Sequence, residues 1–213
     1  MEVKRLDTGY MGTNTYVLYG EAPESCIVID PADDQPVLAF MAQEGLRCTH
    51  ILLTHTHFDH IMGVARLKAA TGALVCAHEA DAPGLHDPKI SLSNMISRDV
   101  EPSEADVLFQ DGDTLEAAGF TLRVLHTPGH SAGGVCYVVE QPRKVIFAGD
   151  TLFYRSVGRT DMPNCSQNDL ISSIQNKLFT LEGDYLVFPG HGPATRLCDE
   201  RTGNPYASPR SRA

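Results

Sequence analysis

Short apolar runs broken by glycine and proline open the chain. Asn14 to Tyr19 and Cys26 to Ile29 are rich in β-branched and aromatic residues and are divided by Gly20 and Pro23, which predicts two short antiparallel strands. After Asp30-Pro31 the period changes. Within Gln35 to Glu44, Val37, Leu38 and Met41 share one helical face, and Gly45 supplies a stop. Thr49 to Leu53 reads as a strand that runs into a histidine-rich loop, followed by a helix from about Met62 to Thr71 and a strand from Ala73 to Ala77. The segment Pro83 to Glu104 keeps neither period. It is either a lid, with Leu92, Met95 and Ile96 as an apolar wall over a site, or a surface loop held down by those residues.

The second half repeats this outline. Val107 to Phe109, Phe120 to Leu125, Val135 to Val139, Lys144 to Ala148 and Tyr185 to Phe188 read as strands. A helix opens at Ser166 with Asp169 in a capping-box position and turns Leu170, Ile171, Ile174 and Leu178 toward a core. Two halves, each with strands ahead of a flanking helix, predict an α/β fold of two sheets packed face to face with helices outside, a four-layer αβ/βα sandwich. The length suits one domain, 1–213, in which 201–213 has no apolar period and reads as a loose tail.

Composition narrows the function. A hydrophobic fraction of 42% and a charged fraction of 21% are those of an ordinary globular protein. No apolar run approaches the roughly 18 to 20 residues of a membrane span, and the N-terminal residues lack a secretory apolar stretch, so the expected location is cytoplasmic, without membrane contact. A formal charge of −10 with no Lys/Arg-rich run argues against a nucleic-acid partner. The six cysteines form no CxxC pair and read as buried, reduced thiols. Nothing in the sequence specifies an oligomeric state.

The chemistry lies in Thr54-His55-Thr56-His57-Phe58-Asp59-His60. In an extended segment His55 and His57 point to the same side, so both imidazoles can reach one metal. Asp59 and His60 follow where the chain turns into a helix and can address a second. Pro128-Gly129-His130, Ala148-Gly149-Asp150 and Pro189-Gly190-His191 each bring a further donor after an apolar strand through a glycine that permits a sharp turn. Four strand ends thus deliver ligands to one sheet edge. Imidazole and carboxylate suit zinc, iron or manganese, with zinc the foremost expectation. Asp30 reads either as a partner for the second nitrogen of a ligand histidine or as a turn residue. His126 reads as structural. Arg159 could hold a substrate carboxylate or pair with Asp161.

The run THxHxDH, then PGHS, GDTLF and PGHG, resembles the metallo-β-lactamase superfamily from about residue 10 to 206. Gly149 to Phe153, Ser156 to Asp161, Glu200-Arg201 and Asn204-Pro205 are similar to the short glyoxalase II-like thioesterases. The resemblance implies one metal on His55, His57 and His130, another on Asp59, His60 and His191, and Asp150 bridging them. It also implies hydrolysis of a small-molecule thioester such as S-lactoylglutathione, with a metal-activated water as nucleophile and Asp59 as the catalytic residue that orients it and accepts its proton. Asp150 argues against antibiotic hydrolysis within that superfamily. The helical C-terminal domain that supplies much of the glutathione site in glyoxalase II is not expected here. The competing readings are a persulfide dioxygenase with one iron, a nuclease, and a metal-binding module without catalysis.

Overall fold

The computed structural model describes residues 1–208. Its first sheet is built from β1 (Glu2–Thr8), β2 (Thr13–Tyr19), β3 (Ser25–Ile29), β4 (Arg47–Leu52), β5 (Leu74–His78) and β6 (Val107–Phe109), in that spatial order. β1, β2 and β3 pair antiparallel, and β3 to β6 run parallel. Parallel neighbours need crossovers, and α1 (Asp34–Glu44) and the pair α2 (Phe58–Ile61) and α3 (Val64–Thr71) supply the first two.

The second sheet uses β7 (Thr114–Ala117), β8 (Phe120–His126), β9 (Val135–Val139) and β10 (Val145–Gly149). A small hairpin, β11 (Leu152–Phe153) and β12 (Ser156–Val157), leads to α4 (Gln167–Ser173), whose last turn widens over Ile174–Leu178. β13 (Leu186–Pro189), β14 (Thr195–Arg196) and α5 (Leu197–Gly203) complete the chain, with spatial order β14-β13-β10-β9-β8-β7.

Strand alternation sorts the core into three layers. Tyr16, Leu18, Ile27, Ile29 and Leu52 of the first sheet meet Leu122, Val124, Tyr137, Val139 and Phe147 of the second. The intervening residues Val17, Val28, Ile51 and Val75 face the other way, onto Val37, Met41, Val64 and Leu67 of the helices. Cys136, Val138, Ile146 and Val187 do the same against Leu170, Ile174, Leu178 and Leu197. Each central strand therefore feeds two cores, which explains its nearly continuous apolar sequence. The αβ/βα sandwich expected from the element order is the observed fold.

Local signals hold at both helix starts. Asp33 accepts from Gln35 N at 3.1 Å, and Ser166 accepts from Asp169 N at 3.2 Å. The helix expected from about Met62 to Thr71 is present as α3 from Val64, preceded by the short separate α2; at Gly63 between them a Cβ would lie 2.7 Å from both Asp34 N and Pro31 O. The strands β1, β7 and β14 carry many exposed polar residues and showed no apolar signal. Over 201–208 the expected loose tail is instead bound to the domain. Arg201 donates to the Phe179, Leu181 and Gly183 carbonyls, Asn204 is buried on Glu200 and Ser156, and Ala207 is fully buried. The rest of that tail, 209–213, lies outside the described residues. All six cysteines are free, four of them buried, and among the described residues no helix is long and apolar enough to cross a membrane.

Two hydroxyls cross the middle layer in opposite directions. Tyr16 on β2 donates to Pro189 O at 2.7 Å, and Tyr137 on β9 donates to Leu53 O at 2.6 Å. Burial pushes both phenols above their ordinary pKa. Tyr137→Phe should cost about 1–3 kcal/mol, because the Leu53 carbonyl is left buried without its partner. Urea unfolding of the two proteins measures it, and an unchanged midpoint would contradict the role assigned to this bond.

Candidate metal centre

The four loops at the strand ends converge. Nitrogens of His55, His57 and His130 lie mutually within 4.8 Å, as do donor atoms of Asp59, His60 and His191. Asp150 sits between the groups, its Oδ1 3.5 Å from His60 Nε2 and its Oδ2 3.5 Å from His130 Nε2 and 3.6 Å from His191 Nε2. The seven ligand residues expected from the sequence are thus brought together, in the grouping that the resemblance implied. A third grouping of Asp30, His55 and His60 is geometrically possible. Asp30 is already engaged, however: its Oδ1 accepts from Thr54 N at 2.8 Å, and its Oδ2 accepts from Thr54 Oγ1 at 2.6 Å and faces His60 Nδ1 at 2.9 Å. It serves as the partner of the second His60 nitrogen.

The donor set fits divalent metals. His55 Nε2, His60 Nε2 and Asp150 Oδ1 are buried without any hydrogen-bond partner, an arrangement that costs free energy unless a cation satisfies them. His57 Nδ1 and His130 Nε2 face each other at 2.9 Å, as two lone pairs aimed at one ion would. Burial holds His55 well below the usual imidazole range, and burial together with the nearby His130 lowers His57 to about 3, so both are neutral ligands. Burial opposes ionisation of Asp59 and Asp150, but His60 and its neighbours outweigh it and keep both carboxyls below their ordinary range. His60 is likewise raised, against its burial, by Asp59, Asp150 and Asp30. The centre as a whole attracts positive charge.

The glycines before the ligands act for different reasons. Gly129 and Gly149 have φ of +140° and +47°, the turn role expected of them. Gly190 has no such φ. A Cβ there would overlap Asp150 Oδ1 and lie 2.7 Å from His60 Cε1, so the requirement is for room beside the bridging carboxylate.

Over the metal centre lies a cavity of about 280 Å³ walled by Met11, Phe58, Leu92, Phe153 and Met162, with Arg159 also lining it. Met95, expected among the substrate contacts, is 68% exposed and outside this wall. A left-handed Leu92 starts a single turn over Ser93–Met95, which leaves Leu92 itself in the wall. Around it, Leu85, Ser91 and Leu92 are buried, and Phe58 N donates to Ser91 O at 2.8 Å, so the stretch 83–104 is a well-held loop. The Arg159 guanidinium is exposed and bound to Asp161 through both carboxylate oxygens, at 2.9 and 3.0 Å, while its carbonyl faces His130 Nδ1 at 2.8 Å. It orients a ligand histidine and offers no free charge. His126 stacks on His78 at 4.0 Å, away from the ligands. Sequence reasoning missed the cavity wall except Leu92, and also Thr13, whose hydroxyl donates to Asp59 Oδ2 at 3.1 Å. Phe58 and Phe153 lie inside the quoted motifs but carry no donor atom that would single them out, and Met11, Met162 and Thr13 stand in no motif.

Buried orphan donors gathered at the ends of a sandwich's strands define a candidate centre for divalent metals. The superfamily model described as metallo-beta-lactamase matches residues 8–191, and the chain belongs to that superfamily. It is 32% identical over 194 residues to the hydroxyacylglutathione hydrolase GloC of Haemophilus influenzae, covering 88% of this chain and 90% of that one. Among solved structures, BLEG-1, described as a B3 metallo-beta-lactamase, is similar with a TM-score of 0.92 and 34% identity, over 98% of this chain and 100% of that one. TTHA1623 in a di-iron-bound form has a TM-score of 0.83 and 33% identity, over 96% and 100%.

Gly190→Ala drives a methyl into Asp150 Oδ1 and His60 Cε1, with the Gly149 backbone at a tight 3.2 Å, and should keep the fold but lose metal at the Asp59, His60 and His191 group. Elemental analysis beside circular dichroism checks this, and full metal content in the variant would refute the steric argument.

Proposed function

We propose that this protein is a binuclear thioester hydrolase of the glyoxalase II type, acting on a small acyl thioester such as S-lactoylglutathione. The observation that carries the reading is the placement of Asp150 between two ligand groups, beneath a cavity whose wall beyond those groups and Arg159 is apolar. Bound there, two divalent metals would lower the pKa of a water toward neutrality and polarise the substrate carbonyl. Zinc is the first expectation, and the similarity to a di-iron protein gives iron equal standing in the test.

The chain's own residues do the rest. Thr13 holds Asp59 Oδ2, and His191 Nε2 faces the same oxygen at 3.1 Å, so Oδ1 is the atom left to orient a water and take its proton. Met11, Phe58, Leu92, Phe153 and Met162 give the acyl group an apolar surface beside the reacting carbonyl. None of these five can protonate a leaving group, and Arg159 is committed to Asp161. An amide nitrogen would need such a proton. A thiol, with a pKa of about 8.5, departs as the anion without one. The 32% identity to GloC supports the same substrate class.

Protein purified without added metal should carry about two metals per chain and hydrolyse members of a thioester panel. A chromogenic cephalosporin belongs in that panel because of the similarity to BLEG-1. Asp59→Asn should lower kcat by roughly 10²–10⁴-fold with the fold intact. Full metal loading without thioester turnover would defeat the proposal, cephalosporin turnover alone would replace it with a β-lactamase, and a single iron with oxygen uptake on a persulfide would replace it with a dioxygenase.

A further inference from the structure

Asp81 lies three residues beyond β5, is 2% exposed, and is no part of the ligand set. Its Oδ2 accepts from Ser131 Oγ at 2.7 Å and from Thr56 N at 3.3 Å, and its Oδ1 accepts from Gly133 N at 2.6 Å. Its carbonyl accepts from Thr56 Oγ1 at 2.8 Å. Thr56 stands between His55 and His57, and Ser131 follows His130 directly. One carboxylate therefore ties together the two loops that carry all three histidines of one ligand group.

A buried carboxylate is tolerated only where its lone pairs are satisfied. Among the described residues Asp81 has no ion-pair partner, so the N–H and O–H groups of these loops answer its charge. The approach is close enough to need glycine: a Cβ at Gly133 would lie 2.5 Å from Asp81 N and 2.8 Å from its Cβ. The other group has its own support in Asp30, which faces His60 Nδ1; Asp30 also bonds Thr54, whose Oγ1 lies 3.2 Å from His55 Nδ1, but it touches none of Thr56, Ser131 and Gly133 and so does not join the two loops.

We infer that Asp81 is a positioning residue for the His55, His57 and His130 group alone, setting the separation of its two loops and so the metal affinity there. The inference rests on the metal-binding reading of these histidines and not on the choice of a thioester as substrate. Asparagine at this position keeps the shape but turns one acceptor into a donor that faces another donor.

The two groups are separated by placing Asp81→Asn in two backgrounds, His191→Ala and His57→Ala, each of which leaves the other group whole. Cobalt(II) binding is followed by visible absorption, with turnover irrelevant to the readout. In the His191→Ala background the dissociation constant should rise about 10–100-fold and the cobalt band should shift. In the His57→Ala background both should stay as they were. Equal weakening in both backgrounds, or none in the first, overturns the inference. Should Asp81→Asn fail to fold, Ser131→Ala removes one bond and should act in the same direction more weakly. No change with Ser131→Ala in the His191→Ala background would also overturn it. Failure of cobalt to bind the unsubstituted chain refutes the metal reading itself, while absence of thioester turnover leaves this measurement standing.

Discussion

The structure depends on the alignment of two sheets at one end of the sandwich. Each crossing tyrosine ends on the carbonyl immediately ahead of a metal loop: Tyr137 on Leu53, before Thr54-His55, and Tyr16 on Pro189, before Gly190-His191. Backbone bonds continue the seam, from Val135 N to Thr54 O at 2.8 Å and from Asn14 N to Gly190 O at 2.7 Å. A hydrophobic layer alone is non-directional and would let the sheets slide. Directed hydrogen bonds fix the offset, and the offset decides whether ligands contributed by both sheets share a centre.

Within that frame the site trades local stability for chemistry. Three carboxylates and several imidazoles are gathered together, and among the described residues three of their atoms have no hydrogen-bond partner. Surrounding bonds hold these groups in place: Asp30 on His60, the Arg159 carbonyl on His130, Thr13 on Asp59. Such outer contacts fix the nitrogen that faces the metal and the ring orientation. The cavity above is largely apolar, so the polar atoms that face it are chiefly those that act.

Much of this was legible in sequence. The strands that feed two cores announce themselves as apolar runs, and the cap at Ser166 is local. The exposed strands β1, β7 and β14 escaped because pairing along an edge needs little apolar pattern. Met95 was grouped with Leu92 and Ile96 on apolar character, which cannot tell which side of a tight turn a residue will occupy.

The chain's order of residues alone determined the layered fold and the seven ligands, since both follow from periodicity and from donor types set at strand ends. Tertiary structure alone decided that Asp30 supports His60, that Arg159 spends its charge on Asp161, that Asp81 joins two loops, and that Met11, Phe58, Leu92, Phe153 and Met162 form the wall. The physical reason is one of range. Periodicity and turn chemistry act between near neighbours, whereas a hydrogen bond from Ser131 to Asp81 or a wall drawn from five separate segments exists only once the sheets are docked.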